Sequence, residues 1–241
     1  MKPILMQNSL QSETSGSNDP YMFKINLEKK FQKILGFGAS FTDSSFLNMN
    51  SLKGNGKQEI LEAYFGKSGI EYSMGRIPIG SNDDSLRVYS YNDSPNDIDL
   101  SNFSIDIDRS AETGFKLDNI KTILKMVKDT GKELNLFASP WSPPAWMTNT
   151  GKTIHNPKLQ NDPKIKSSYV QYLKKFFEEY EKEGVTFWGM TAQNEPDGNI
   201  GYWQSLKFTP AEQRDFIRDY LGPVIKGKYP GMKIMMHDDQ R

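Results

Sequence analysis

The sequence predicts an α/β fold, a (β/α)8 barrel of the TIM type that is present only in part. Three observations carry that expectation. Short apolar and β-branched runs alternate with stretches of helical periodicity along most of the 241 residues. That order yields parallel strands with helical crossovers. The strand candidates empty into polar and aromatic clusters near Asp43, Asp83, Trp141, Glu195 and Asp238. In this architecture the carboxyl ends of the strands gather the ligand groups. At most five strand–helix units can be counted, whereas a closed barrel takes eight.

Taken in order, residues 1–20 are polar and aperiodic, a loose lead-in. The alternation of Phe23, Ile25 and Leu27 fits a half-buried strand. A small-residue segment over 34–43 follows, then a turn at 51–56 and a helix over 57–65 with Gly66 as its stop. Residues 70–79 read as a strand running into Gly80 and Asp83. The polar stretch 87–112 is long enough to be a functional loop or a surface excursion. Leu117, Ile120, Leu124 and Val127 mark a helix ending at Gly131, and 134–139 is the next strand. Asp162 and Pro163 supply an N-cap and first-turn proline to a long amphipathic helix that closes at Gly184. The strand over 185–192 follows at once. Thr209 and Glu212 form a capping box for a helix to about residue 225, and 233–236 is the last strand.

Bulk properties narrow the chemistry. Thirty basic and thirty acidic side chains cancel, so no net field draws the chain to nucleic acid or an anionic surface. The absence of cysteine excludes disulfides, thiolate metal sites and thiol nucleophiles. Two histidines, His155 and His237, speak against a His-rich metal centre, and no ligand cluster has recognisable spacing, so no metal is expected. Gly36 and Gly38 lack the third glycine of a phosphate-cradling loop, so no nucleotide cofactor is expected either. No apolar run reaches the roughly 18 residues of a membrane span, and the N-terminus lacks the apolar centre of a signal peptide. Asn92 and Asn102 each open a glycosylation sequon, a pattern often met by chance.

Glu195 is the candidate general acid. Pro196 disfavours the α region for the residue before it, which points Glu195 to an extended conformation at a strand end. Beside the Asn194 amide and the Trp188 indole, desolvation would raise its pKa. Asp83, Asp84, Asp238 and Asp239 are further rim carboxylates, with a minor part expected for the last two. Arg76 reads first as a structural ion-pair partner and second as a group that orients a ligand carboxylate. Trp141, Trp146, Tyr202 and Trp203 could stack on a sugar's apolar face. Of these, Trp146 reads as packing, whereas Trp141, at a strand end, suits either role. His155 reads as a solvated surface group. An isolated Asn-Glu-Pro is more simply a strand ending in a turn.

The ordered motifs are more specific. Glu28-Lys-Lys-Phe-Gln-Lys-Ile-Leu-Gly-Phe-Gly-Ala-Ser-Phe-Thr-Asp43, Gly75-Arg-Ile-Pro-Ile79 with Asp83, and Leu136-Phe-Ala-Ser-Pro-Trp141 come first. Thr191-Ala-Gln-Asn-Glu-Pro196, Phe208-Thr-Pro210 with Gln213-Arg-Asp-Phe216, and Asp238-Asp-Gln-Arg241 follow. Together, in this order and with similar gaps, they resemble the catalytic barrel of the glucosylceramidases, the lysosomal acid β-glucosidases of glycoside hydrolase family thirty. The resemblance implies retaining hydrolysis of the β-glucosidic bond of glucosylceramide to glucose and ceramide, without a cofactor. It places Glu195 on the acid/base and Asn194 on the amide that contacts the sugar's 2-hydroxyl. Asp83 and Trp141 fall on glucose-binding positions, Arg76 on the basic residue supporting them, and Tyr202 on an aromatic at the pocket mouth. Asp84 stands where the family often has an aromatic. A β-glucoside substrate, a saposin-type activator, a lipid surface, and a lysosomal or secreted location follow as further implications.

The family's nucleophile is a glutamate on the seventh strand, so a chain with five is expected to be a fragment, inactive by itself. Residues 1–27 then hold the lead-in and a remnant of the accessory β domain, and 28–241 the partial barrel. Two alternatives stand beside the glucosylceramidase reading. One is a family-thirty β-glycosidase acting on polysaccharide, and the other a non-catalytic product that binds sugar or a partner.

Overall fold

The computed structural model describes residues 26–240 and divides into two compact units, Met1–Gly36 and Phe37–Arg241. In the described part of the first unit a turn at Leu27 and Glu28 leads into irregular backbone that leaves Leu27, Phe31, Ile34 and Leu35 exposed. The strand expected from Phe23 to Leu27 lies mostly outside the described residues, and Leu27 itself is in the turn.

The second unit is built on one five-stranded parallel sheet in the order β1-β2-β3-β4-β5. The strands are β1 Gly38–Ser40, β2 Met74–Ile79, β3 Asn135–Pro140, β4 Gly189–Thr191 and β5 Lys233–Met235. The longest ladder joins β2 to β3, with Arg76 opposite Phe137 and Pro78 opposite Ser139. Because side chains alternate across a strand, each strand shows two different faces. Ile77, Ile79, Leu136, Ala138 and Met190 are buried in the core under the helices. Arg76, Phe137, Ser139 and Thr191 occupy the opposite parity. Gly75 is required by close packing: a Cβ there would come within 2.8 Å of Leu136 and the Phe41 ring.

Each helix has a local cause. In α1, Asp43–Ser51, the Thr42 hydroxyl caps the Ser45 N–H at 3.2 Å. This helix is absent from the sequence reading because its Ser- and Asn-rich turns bury only Asp43 and Phe46 and carry no apolar stripe. Helix α2 spans Gly56–Phe65 and α3 spans Lys116–Asp129. Helix α4, Pro163–Lys182, starts from an Asp162 cap and buries Tyr169, Tyr172, Leu173, Phe176, Phe177 and Tyr180. The capping box at Thr209 and Glu212 opens α5, Pro210–Phe216, which continues through a π-helical segment, Ile217–Leu221, into α6, Gly222–Lys228. Pro223 cannot donate within a helix, and the widened turn just before it is where such interruptions are absorbed.

Residues 87–112 leave the surface repeatedly: Tyr89, Tyr91, Leu100 and Ile105 are buried. They close over a fully buried ammonium. Lys116, the first residue of α3, lies 2.8 Å from Asp108 and 3.1 Å from Asp43. Asp108 also accepts from the Tyr91 and Tyr180 hydroxyls at 2.7 Å each, and Tyr89 donates to Asp43 at 3.0 Å. Burial alone would lower the Lys116 pKa, but Asp108, the tyrosines and Asp43 hold it well above the ordinary lysine value. Burial pushes Tyr91 and Tyr180 up as well, with Asp108 adding to both. All three folded values exceed their unfolded ones. Their contribution to stability is therefore complete below pH about 10 and is lost as pH rises through the folded values. The expected result is a melting temperature that falls steeply above about pH 10. A melting temperature unchanged to pH 11.5 would refute it.

Candidate active site

The polar face of the sheet converges past the carboxyl ends of β2 to β5. Arg76 Nη2 donates to Asn194 Oδ1 at 2.7 Å and to Asp238 Oδ2 at 2.7 Å, with Ser139 Oγ at 3.1 Å. Ser139 Oγ donates to the same Asp238 oxygen at 2.7 Å and bonds Thr191 Oγ1. Four strand ends are thus tied through one guanidinium and one carboxylate. The ion pair is half-buried, where charge-assisted bonds are strengthened over those in water. Arg76 is therefore an ion-pair partner, as its place in a strand suggests. Asp238, expected to play a minor part, is central.

The Asn194 Oδ1 accepts from Arg76, which leaves its NH2 group to donate to a ligand. The Arg76 guanidinium also lies 4.4 Å from the Trp141 ring centroid, within cation–π range. Trp141 Nε1 in turn donates to Asp83 Oδ1 at 2.9 Å. Only 5% of Trp141 is exposed, so its ring presents no open stacking face. Arg76, Trp141, Asp83 and Asn194 are one connected set.

Glu195 stands next to that set, with a backbone the sequence did not foretell. Its φ is +45°, so the expected extended conformation is corrected to the left-handed region. Proline after it still disfavours the right-handed helical region, and two bonds hold the alternative. Glu195 N–H donates to the Asp238 carbonyl at 2.8 Å, and Gly198 N–H donates to the Glu195 carbonyl at 2.9 Å. Left-handed backbone in a non-glycine residue costs free energy and collects at functional sites. The neighbouring indole also differs from expectation. Trp188 precedes β4, donating its N–H to Leu136 at the opposite end of the strand from Glu195. Trp203 supplies the contact instead, its Nε1 donating to Glu195 Oε2 at 3.2 Å.

Other candidates fall outside the cluster. Tyr202 is 79% exposed, and Asp84 is exposed with its carbonyl bound by Ser44. Trp146 packs against the core and donates to the Asn92 carbonyl at 3.1 Å. His155 is exposed, its N–H on the Gly201 carbonyl. Gln193 was missed: fully buried, its Nε2 donates to the carbonyls of Trp141 and Asn194 at 2.8 Å each, joining two rim segments. A cleft of about 720 Å³ between residues 88–95 and 145–155 includes none of Arg76, Asp83, Asn194 or Glu195. Among the described residues, no group of three or more His, Asp or Glu could hold a metal ion.

Residues 34–241 match the family model described as Glycosyl hydrolase family 30 TIM-barrel domain. Lysosomal acid glucosylceramidase of Mus musculus is 38% identical over 242 aligned residues, covering 98% of this chain and 45% of that protein. Among solved structures, SrfJ from Salmonella typhimurium superposes with a TM-score of 0.77 at 29% identity, over 86% of this chain and 44% of that one. The endo-β1,6-glucanase BT3312 superposes with a TM-score of 0.76 at 31% identity, over 88% of this chain and 46% of that one. The chain spans a little under half the length of each of these relatives. Its five consecutive parallel strands and the family match from residue 34 onward lead to one conclusion: the chain belongs to glycosyl hydrolase family 30 and carries part of its TIM-barrel domain.

Proposed function

We propose that this chain supplies the acid/base half of a retaining β-glucosidase site, with Glu195 as the proton donor. The observation that carries the reading is the linked set Asp83–Trp141–Arg76–Asn194, abutting Glu195 at the carboxyl ends of the strands. Asp83 presents a carboxylate to sugar hydroxyls, and Asn194 presents an amide NH2 to the 2-hydroxyl. Tyr202, exposed on the following loop, lines the entrance. Retaining hydrolysis needs a second carboxylate about 5–5.5 Å from the first. Resemblance to the glucosylceramidases puts that nucleophile on a strand beyond the five seen here.

Glucosylceramide is the proposed substrate, supported by the 38% identity to the mouse glucosylceramidase. A lysosomal or secreted setting, a lipid surface and a saposin-type activator belong to the same proposal. Similarity to an endo-β1,6-glucanase at 31% identity favours a second reading, cleavage of a β-linked glucan. Hydrolysis of glucosylceramide and of β-1,6-glucan, compared on a polypeptide that holds these residues within a complete barrel, separates the two. Release of glucose from the lipid is expected, and glucan cleavage alone would overturn the assignment. The 241-residue polypeptide by itself is expected to gain no covalent adduct from a mechanism-based β-glucoside inhibitor. An adduct on it would show that the second carboxylate is already among these residues.

A further inference from the structure

We propose that Trp203 is a positioning residue that fixes which oxygen of Glu195 carries the transferable proton. This deepens the acid/base reading and rests on it. The indole Nε1–H lies 3.2 Å from Glu195 Oε2 and can only donate. In a carboxylic acid the carbonyl oxygen accepts a hydrogen bond better than the hydroxyl oxygen does, so the oxygen that takes the indole bond is the unprotonated one. The acid proton therefore sits on Oε1, for which no bonded side chain is present among the described residues. Trp203 thus divides the carboxyl group into an anchored oxygen and a reactive one.

The same bond acts on the chemistry. Proton donation converts Glu195 from carboxylic acid to carboxylate as the glycosidic oxygen takes the proton and its bond to the anomeric carbon breaks, that carbon bonding instead to the second carboxylate of the proposed retaining site. The indole N–H stays on Oε2 as the group loses its proton, and so holds in place the carboxylate that then accepts a proton from water. The ring is half-buried and held by its own loop. Gln204 donates to Ser81 Oγ at 3.0 Å, and Ser205 N–H donates to the Thr153 carbonyl at 2.8 Å. His155 N–H on Gly201 ties a second loop to the same segment. Phenylalanine would keep the ring and lose the donor.

Other charged groups face this carboxyl from its surroundings. Asp197 shares its turn, Asp238 and Asp239 follow β5, Arg76 projects from β2 onto Asn194 and Asp238, and His155 abuts Gly201. The test must isolate Glu195 from all of them, and it needs no turnover. In the 241-residue polypeptide with 15N-labelled tryptophan, four indole signals are expected from four tryptophans, and Trp203→Phe assigns one by its loss. That signal should shift with pH through a carboxylate transition, and the transition should vanish in Glu195→Gln. A Trp203 indole that does not titrate, or that titrates equally in Glu195→Gln, overturns the proposal. Neither outcome touches whether Glu195 is the acid, which the hydrolysis assays decide separately.

Discussion

Lys116→Met should destabilise the fold by about 3–5 kcal/mol, the cost of removing one partner from a buried ion pair. Methionine matches the aliphatic stem, so the loss measures the ammonium and not a cavity. Without it, Asp43 and Asp108 face each other's region as buried carboxylates with only hydroxyl donors, from Ser85, Tyr89, Tyr91 and Tyr180. A domain of this kind has about 5–15 kcal/mol of stability in total, so urea unfolding should move to much lower denaturant at neutral pH. Adding Asp108→Asn removes the stranded charge nearest the vacancy and should recover part of the loss. A single-variant cost below about 1 kcal/mol, within the range of surface ion pairs, would show the pair to be hydrated.

Glu195→Gln, made in a polypeptide that holds these residues in a complete barrel, should lower hydrolysis of a natural β-glucoside by about 10²–10⁴-fold. Glutamine keeps the shape and still accepts the Trp203 indole through its carbonyl oxygen, so folding should survive. What disappears is the proton given to the departing oxygen. The loss should shrink for an aryl glucoside whose phenolate leaves without protonation, because glycosylation of the enzyme then needs no acid. Equal losses on alkyl and activated aryl substrates would point to a structural defect and would remove Glu195 from its assigned role.

Much of the architecture was legible because strand and helix periodicities differ and each strand ends in chemistry-bearing residues. Long helices with apolar stripes, α3 and α4, were read nearly to their ends. Helix α1 was not, since its formation depends on the Thr42 cap and on packing of Phe46, neither of which makes a periodic signal. Arg76, Asp83, Trp141 and Asn194 stand out in the sequence as rim candidates, and the structure joins them directly. Asp238 was undervalued because its role lies in pairing with Arg76, 162 positions away, and separation in sequence hides such pairs. Trp188 was preferred to Trp203 because it is nearer Glu195 along the chain's strand. A strand carries residues away from one another, whereas the turn after Glu195 folds Trp203 back onto it. The turn is also why Glu195 is left-handed: hydrogen bonds to residues outside the local window outweighed its intrinsic preference.

The strand order β1-β2-β3-β4-β5 means that each strand pairs only with neighbours in sequence. During synthesis such a sheet can grow one strand at a time as the chain emerges, with no gap held open for a later insertion. The contacts at the strand ends mature on a different schedule. Arg76 leaves the ribosome early but meets the Asp238 carboxylate, and Glu195 the carbonyl that sets its turn, only when the last of these strands docks. A nascent chain halted before β5 would therefore hold a well-paired sheet and an unorganised site.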